Sequence, residues 1–291
     1  MDFNDLLGAA SINPAGVIVF RHRPPEPKLN SVMPWLAAER PDLFNAYQQT
    51  HGHRVEAALL GAEYVASFLG HEPSSALFVG LYRVGQTRRL THKEYWEVPA
   101  YAEMKQWGMT GFSEESGRSH TLWFDLQLTD FYSAWSGKLV VGWPPPERSW
   151  WRRAHKNKLP VQAIHESSAF VPAMPDWQDL VVSWQQLSVL PTAWKNALSH
   201  WRGVYHIFDA ASGKGYVGSA CGADNILGRW SQYASSGHGG NRLLKQLDPT
   251  NFQFSVLQRL SPDLPETEVV QIESSWKKRL HTRAPFGLND N

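Results

Sequence analysis

The sequence predicts an α+β protein in two parts: an α+β region over residues 1–190, and a small mixed β-sheet with flanking helices over 200–291. Three observations lead there. Hydrophobic residues make up 42% and aromatic residues 12% of the 291, the composition of a chain that buries a core. The texture changes near residue 190, where an irregular, proline-rich stretch ("RHRPPEP" at 21–27, "WPPPERSWWRRAHKNK" at 143–158) gives way to cleanly periodic segments. Those last segments read in the order β-β-α-α-β-α.

Bulk properties exclude several classes. Charged residues are 19% of the chain and the net charge is +1, so no global field steers the protein to nucleic acid and any such binding needs local patches. The single cysteine, Cys221, forbids an intramolecular disulfide or a cysteine-based zinc site. "MDFND" at the start has neither the basic nor the apolar region of a signal peptide, and no run approaches the roughly 20 apolar residues of a membrane span. A cytoplasmic protein without a membrane partner is expected. The fourteen tryptophans serve mostly as core, with stacking surfaces as the other use of that residue.

In order along the chain, apolar spacing predicts helices over 33–49 and 54–69. "ALFVGLYRV" (76–84), "LWFDLQL" (122–128) and "GKLVVGW" (137–143) read as strands from their β-branched and aromatic content. A connecting segment with a short helix over 191–200 leads to "GVYHIFDAASGKGYVGSA" (203–220), a hairpin with its turn at the Asp-Ala-Ala-Ser-Gly stretch. Next come a helix "ADNILGRWSQYASS" capped by Asp224 or Asn225, a glycine-rich loop "GHGGN", an apolar helical piece over 242–247, a strand over 252–260 and a helix beginning near 267.

In the final helix Val269, Ile272, Trp276 and Leu280 form one stripe, and Glu273 falls about 40° from Val269 at 100° per residue. A carboxylate on an inward face needs a partner. Either a salt bridge or a metal ion would serve. In the earlier helix Arg229 and Tyr233 stand one turn apart, an arrangement that suits phosphate but also an ordinary amphipathic helix.

Together these elements resemble the GIY-YIG nuclease family. Its two hairpin motifs have counterparts in Gly203-Val204-Tyr205 and Tyr216-Val217-Gly218, and its later residues have counterparts in Arg229, Tyr233, Glu273 and Asn289, in that order. "GGN" before an apolar helix also matches a loop common in the family. The resemblance covers 200–291, and it departs from the pattern where Ser219, Ala220 and Cys221 follow the second motif instead of a basic residue. Lys214 would reach that place only if the hairpin curls back. His238 would compensate or would be a plain loop histidine.

The resemblance implies a phosphodiester hydrolase in which Glu273 holds one Mg²⁺ or Mn²⁺, Arg229 binds the phosphate oxygens, and a water attacks in line. Tyr205 is then the general base or the water-positioning group, with Tyr216 and Tyr233 as supports or alternative bases, and Asn289 holds a loop or a tyrosine hydroxyl. A base role requires a tyrosine pKa lowered from about 10 by Arg229 and the metal. The partner implied is DNA, with a homodimer on DNA for double-strand cleavage.

Residues 200–291 carry ten lysines and arginines against eight acidic residues, too small an excess for tight backbone binding. Targeting is therefore expected from the N-terminal region, where Arg148, Arg152, Arg153, Lys156 and Lys158 surround Trp150 and Trp151. That mixture suits nucleic acid, or is a solvated basic helix with core tryptophans. The strands 76–84 and 137–143 resemble small β-barrel modules of the PUA type, some of which take up a modified or flipped base, so a restriction-type enzyme reading modified DNA is implied. Two alternatives stand: a structure-specific repair or recombination nuclease, and a nucleic-acid-binding protein whose catalytic fold is inactive.

Overall fold

The computed structural model describes residues 1–290, which divide between Pro172 and Ala173 into two compact units. The division precedes the compositional change at 190. The reason is a three-residue strand near 182, too short to register as a pattern, which belongs to the second sheet.

The first unit opens with α1 (Phe3–Ala9), started by a capping box in which Asp2 accepts from Asn4 N at 2.8 Å and Asp5 from Asp2 N at 2.7 Å. There follow β1 (Val17–His22), α2 (Pro27–Glu39), α3 (Pro41–Gln48), α4 (His53–Leu59), β2 (Tyr64–Gly70), β3 (Ser75–Thr91), α5 (His92–Glu97), α6 (Pro99–Met104), β4 (His120–Leu128), β5 (Leu139–Gly142), β6 (Trp151–Arg153) and β7 (Val161–Ile164). The strands form one sheet in the order β6-β1-β2-β3-β5-β7, with β4 on the far half of β3. β1 and β2 are parallel and the other pairings antiparallel. Phe3 N donates to Leu159 O and Val161 N to Met1 O, so the first residues lie beside β7.

Alternation builds the core of this unit. Val17 and Val19 of β1 share a face with Ala66 and Phe68 of β2, and that face meets Phe3 of α1, whose ring lies 5.1 Å from Phe68. A bulge opposite Ser67 and Phe68 inserts one residue into β3, which moves the inward positions from Ala76 and Phe78 to Leu81.

Two helix expectations are corrected here. The helix expected over 33–49 is two helices, because Pro41 forces Arg40 out of helical geometry (φ −135°, ψ 62°). The helix expected over 54–69 ends at Leu59, and "YVASFLG" is instead β2, a central strand buried on both faces, where an apolar run shows no period to distinguish it. "RSWWRRAHKNK" is β6 and a 3₁₀ turn (Ala154–Lys156), not a basic helix.

The second unit contains β8 (Val181–Ser183), α7 (Trp184–Leu187), α8 (Thr192–His200), β9 (Gly203–Asp209), β10 (Lys214–Ala220), α9 (Asn225–Ser236), β11 (Phe252–Arg259) and α10 (Glu266–Arg279). Its sheet runs β10-β9-β11-β8. The sequence predicts a small mixed sheet here, whereas all three pairings are antiparallel. The helical piece expected over 242–247 is a single 3₁₀ turn, Leu244–Gln246. Asp224 precedes α9 but its side chain makes no capping bond. α10 ends at Arg279, so Leu280 lies past the helix and is exposed, and the inward positions are Val269, Glu273 and Lys277. No helix among the described residues is long and apolar enough to cross a membrane.

Candidate active site

The hairpin's turn is set by Asp209, whose carboxylate accepts from Ser212 N at 3.1 Å and Ser212 Oγ at 2.5 Å, while Gly213 supplies the left-handed residue (φ +70°). The resulting register pairs Tyr205 with Gly218. This explains the two motifs. A Cβ at Gly218 would stand 2.6 Å from Tyr205 Cζ, and one at Gly203 would run into the Gln258 carbonyl where β11 bulges. The glycines are empty so that the Tyr205 ring can lie across β10 and β9 can close on β11.

Strand alternation then sorts the side chains. Tyr205 and Tyr216 project from one face of the hairpin, on which α9 packs through Ile226, Trp230 and Tyr233. The hydroxyls of Tyr205 and Tyr233 are 3.0 Å apart, and the Tyr216 ring lies 6.5 and 6.3 Å from those of Tyr205 and Tyr233. Arg229, one turn before Tyr233, bonds Gln232 Oε1 at 3.1 Å, and its buried Nε has no partner. The nearby Tyr205 phenol, more than any other group, raises the Arg229 pKa, so the guanidinium is charged at every working pH. Gly239 (φ +54°) brings the glycine loop against the Tyr233 ring.

Burial raises the pKa of both Tyr205 and Tyr233 far above the ordinary phenol, and the pull of Arg229 on Tyr205 is the smaller effect. Arg229 alone does not offset the burial of Tyr205, so a base role for this phenol would need the metal that the sequence reading paired with Arg229. Tyr216 is half-buried and is the phenol open to a ligand.

Glu273 reaches β10 from the other face. Ser219 Oγ donates to its Oε2, and Lys277 Nζ lies 2.7 Å from its Oε1. The phenols and the acid thus flank one edge strand instead of sharing one wall. The salt-bridge alternative for Glu273 is present, and its cation sits one turn on, at the Glu-to-Lys spacing that helices favour. Among the described residues no three His, Cys, Asp or Glu side chains gather as a metal site. One carboxylate still fits a Mg²⁺ ion that takes its remaining ligands from water and phosphate oxygens. Each Glu273 oxygen keeps a lone pair beyond the contact it now makes, with Lys277 as the competitor.

Asn289 is buried, accepting from Val217 N at 2.9 Å and donating to Val217 O at 2.8 Å, as a neighbouring strand would. Leu288 N likewise bonds Gly215 O. The tail therefore covers the outer edge of β10 up to Val217 and stops short of Ser219. His238 accepts from Gly240 N at 2.9 Å, a bond internal to its loop. Lys214 donates to Pro285 O and so holds the tail.

Three residues of this region escaped the sequence reading. Lys277 was legible from its spacing to Glu273. Ser219 and His206, which share the sheet face of Glu273's contact, carry no signal in a single sequence. Desolvation lowers the His206 pKa, so it is neutral at pH 7.

In the first unit the predicted cluster is dispersed by strand alternation. Arg152 bonds Pro144 O at 2.6 Å and Asn157 Oδ1 at 2.9 Å, a structural role, while Trp151 and Arg153 pair with Phe20 and Ile18 on β1. Arg148, Lys156 and Lys158 are exposed, and Trp150 is 37% exposed.

No protein-family model and no curated protein matches the chain. Among solved structures, the catalytic domain of the homing endonuclease I-TevI aligns with 31% of this chain and 98% of its own, at 24% identity and a TM-score of 0.26.

Proposed function

We propose that the second unit is a metal-dependent DNA endonuclease of the GIY-YIG type, and that the first unit selects the DNA as in a restriction-type enzyme. The observation that carries this reading is the phenol cluster beside the charged Arg229, whose Tyr216 stands on the same edge strand as Ser219, the partner of Glu273. A phosphodiester at the end of that edge beyond Val217, where the tail stops, would meet both sets of groups. Arg229 would bind the non-bridging oxygens as their charge grows. Tyr216 would position the water, with Tyr205 and Tyr233 fixing it through their shared hydrogen bond. A divalent cation at Glu273 supplies charge stabilisation at the scissile phosphate and leaving oxygen. His206 is the neutral acceptor on the acid's face.

A second reading, an inactive nucleic-acid-binding protein, is favoured by one observation, the Lys277 contact with Glu273. Nicking of supercoiled plasmid in Mg²⁺ separates the two. Wild type should nick and Glu273→Ala should not. Equal behaviour of the two, with or without chelator, removes the hydrolytic reading.

A further inference from the structure

The first unit contains a cavity of about 1150 Å³, somewhat above the roughly 1,000 Å³ that bounds most small-molecule sites. We propose that it is a nucleotide-binding site, taking one base against Trp150 and His51 and the attached phosphate at Arg21. The proposal rests on the reading that this chain acts on nucleic acid, and it concerns a site that the hydrolytic residues do not share.

One part of the wall is aromatic and uncharged. Trp150 and His51 line it, with the buried Phe20 packed behind them and the three ring centroids 4.7 to 5.5 Å apart, and Trp150 keeps more than a third of its surface open. A planar ring would stack there. His22 and His51 both line the cavity. Burial holds their pKa values down at about 4 and about 3, so they present neutral donor and acceptor atoms, which suit the edge of a heteroaromatic ring. The buried His51 Nε2 has no partner.

Another part of the wall is cationic. Arg21 is 2% exposed, yet it makes no ion pair among the described residues. Its terminal nitrogens reach the carbonyls of Glu147 and Glu72, each at 3.5 Å, its guanidinium carbon lies 5.8 Å from the Trp143 ring centroid, and its Nε has no hydrogen-bond partner. The Glu147 carboxylate accepts from Ser74 Oγ and attracts Arg21 from beyond ion-pair distance, which offsets part of the burial that lowers the Arg21 pKa. A buried guanidinium in that state is costly unless an anion joins it. Arg118, also on the wall, is committed to Glu56 at 2.5 Å and acts as scaffold. A neutral heteroaromatic ring joined to one phosphate satisfies both parts. Its source is a nucleotide extruded from DNA or a free nucleotide.

The test uses the full chain in chelator, so that nothing is cleaved, with 2-aminopurine as the probe base. One arm is a duplex carrying it opposite an abasic position, against the same duplex fully paired. The other arm is free 2-aminopurine deoxyriboside monophosphate, against the nucleoside. Binding of the abasic-opposed duplex about tenfold tighter than the paired one, with the probe's fluorescence changed by stacking, assigns the source to DNA. Saturable binding of the monophosphate without that duplex preference assigns it to free nucleotide. In either case Trp150→Ala should cost about tenfold or more, and Arg21→Gln should remove the advantage of monophosphate over nucleoside. Should Arg21→Gln fail to fold, the wild-type preference for monophosphate reads the same contact. No saturable binding in either arm, or binding indifferent to Trp150→Ala, overturns the proposal. Plasmid nicking by the same preparation tells the two failures apart: nicking without binding sinks the cavity site alone, and binding without nicking sinks the nuclease alone.

Discussion

The Tyr205 hydroxyl lies 3.0 Å from the Tyr233 hydroxyl, joining the first hairpin strand to the helix that carries Arg229. Both rings are buried and burial raises the pKa of both phenols, which favours a support under Tyr216 over a base. Tyr205→Phe should cost about 1 kcal/mol of stability. Nicking should fall by about 10²-fold, since a positioning group is lost. A pH–rate profile of the variant with unchanged shape would agree with a supporting role, and loss of a basic limb would contradict it.

Glu273 is shared between Ser219 and Lys277, and a cation bound there competes with the lysine. Lys277→Met should therefore lower the Mg²⁺ concentration for half-maximal nicking by about tenfold, the worth of roughly 1.4 kcal/mol between close charges. Glu273→Gln should abolish the metal response. Titration of nicking against Mg²⁺ for the three proteins checks both statements.

Asn289 does the work of a missing strand at Val217, making two buried hydrogen bonds. Asn289→Ala leaves a buried N–H and C=O unpaired and should destabilise the second unit by about 2 kcal/mol. Denaturant melts read this directly. Activity should fall mainly through the displaced Tyr216, with little change in metal affinity.

Gly218 is opposite Tyr205 with no room for a methyl group. Gly218→Ala should displace the Tyr205 ring, costing about 1–3 kcal/mol as overpacking does. The near-ultraviolet signal of the tyrosine cluster should change, while far-ultraviolet signal persists. A silent substitution would mean the ring does not lie where the register puts it.

His22 is buried, with desolvation pushing its pKa down to about 4 against a bond to Gln48 that opposes the shift. The unfolded chain binds its proton near pH 6.5 and the folded chain near 4. Between those values the unfolded state holds more protons, so stability is full above about pH 6.5 and is lost as pH falls toward 4, by about 3 kcal/mol in all. The first unit's melting temperature should drop across that window, and His22→Gln should reduce the slope, with His51, held at about 3, supplying the remainder.

Local chemistry made much of the second unit legible. The hairpin announced itself through Asp209, Gly213 and the alternation around them, and α10 placed Glu273 inward by its spacing from Val269 alone. The strands expected over 76–84 and 122–128 lie within observed strands, and the one expected over 137–143 contains β5, which is shorter at both ends. What failed was local ambiguity. "YVASFLG" is apolar on both faces because β2 is covered on both, which erases the period that separates strand from helix. β8 has three residues and exists only because β11 offers an edge.

The sequence by itself determined that Glu273 and the hairpin tyrosines sit on periodic elements and which chemical groups the second unit has to work with, since helix and strand periods follow from backbone geometry and need no partner. Tertiary structure alone decided that the phenols and Glu273 flank β10 from opposite faces, that Lys277 shares the acid, and that Arg21 is buried beside an aromatic cavity. Those outcomes depend on which strand lies at an edge and which helix covers each face. Such choices are made by the summed burial of segments far apart in the chain, and no short window of residues records them.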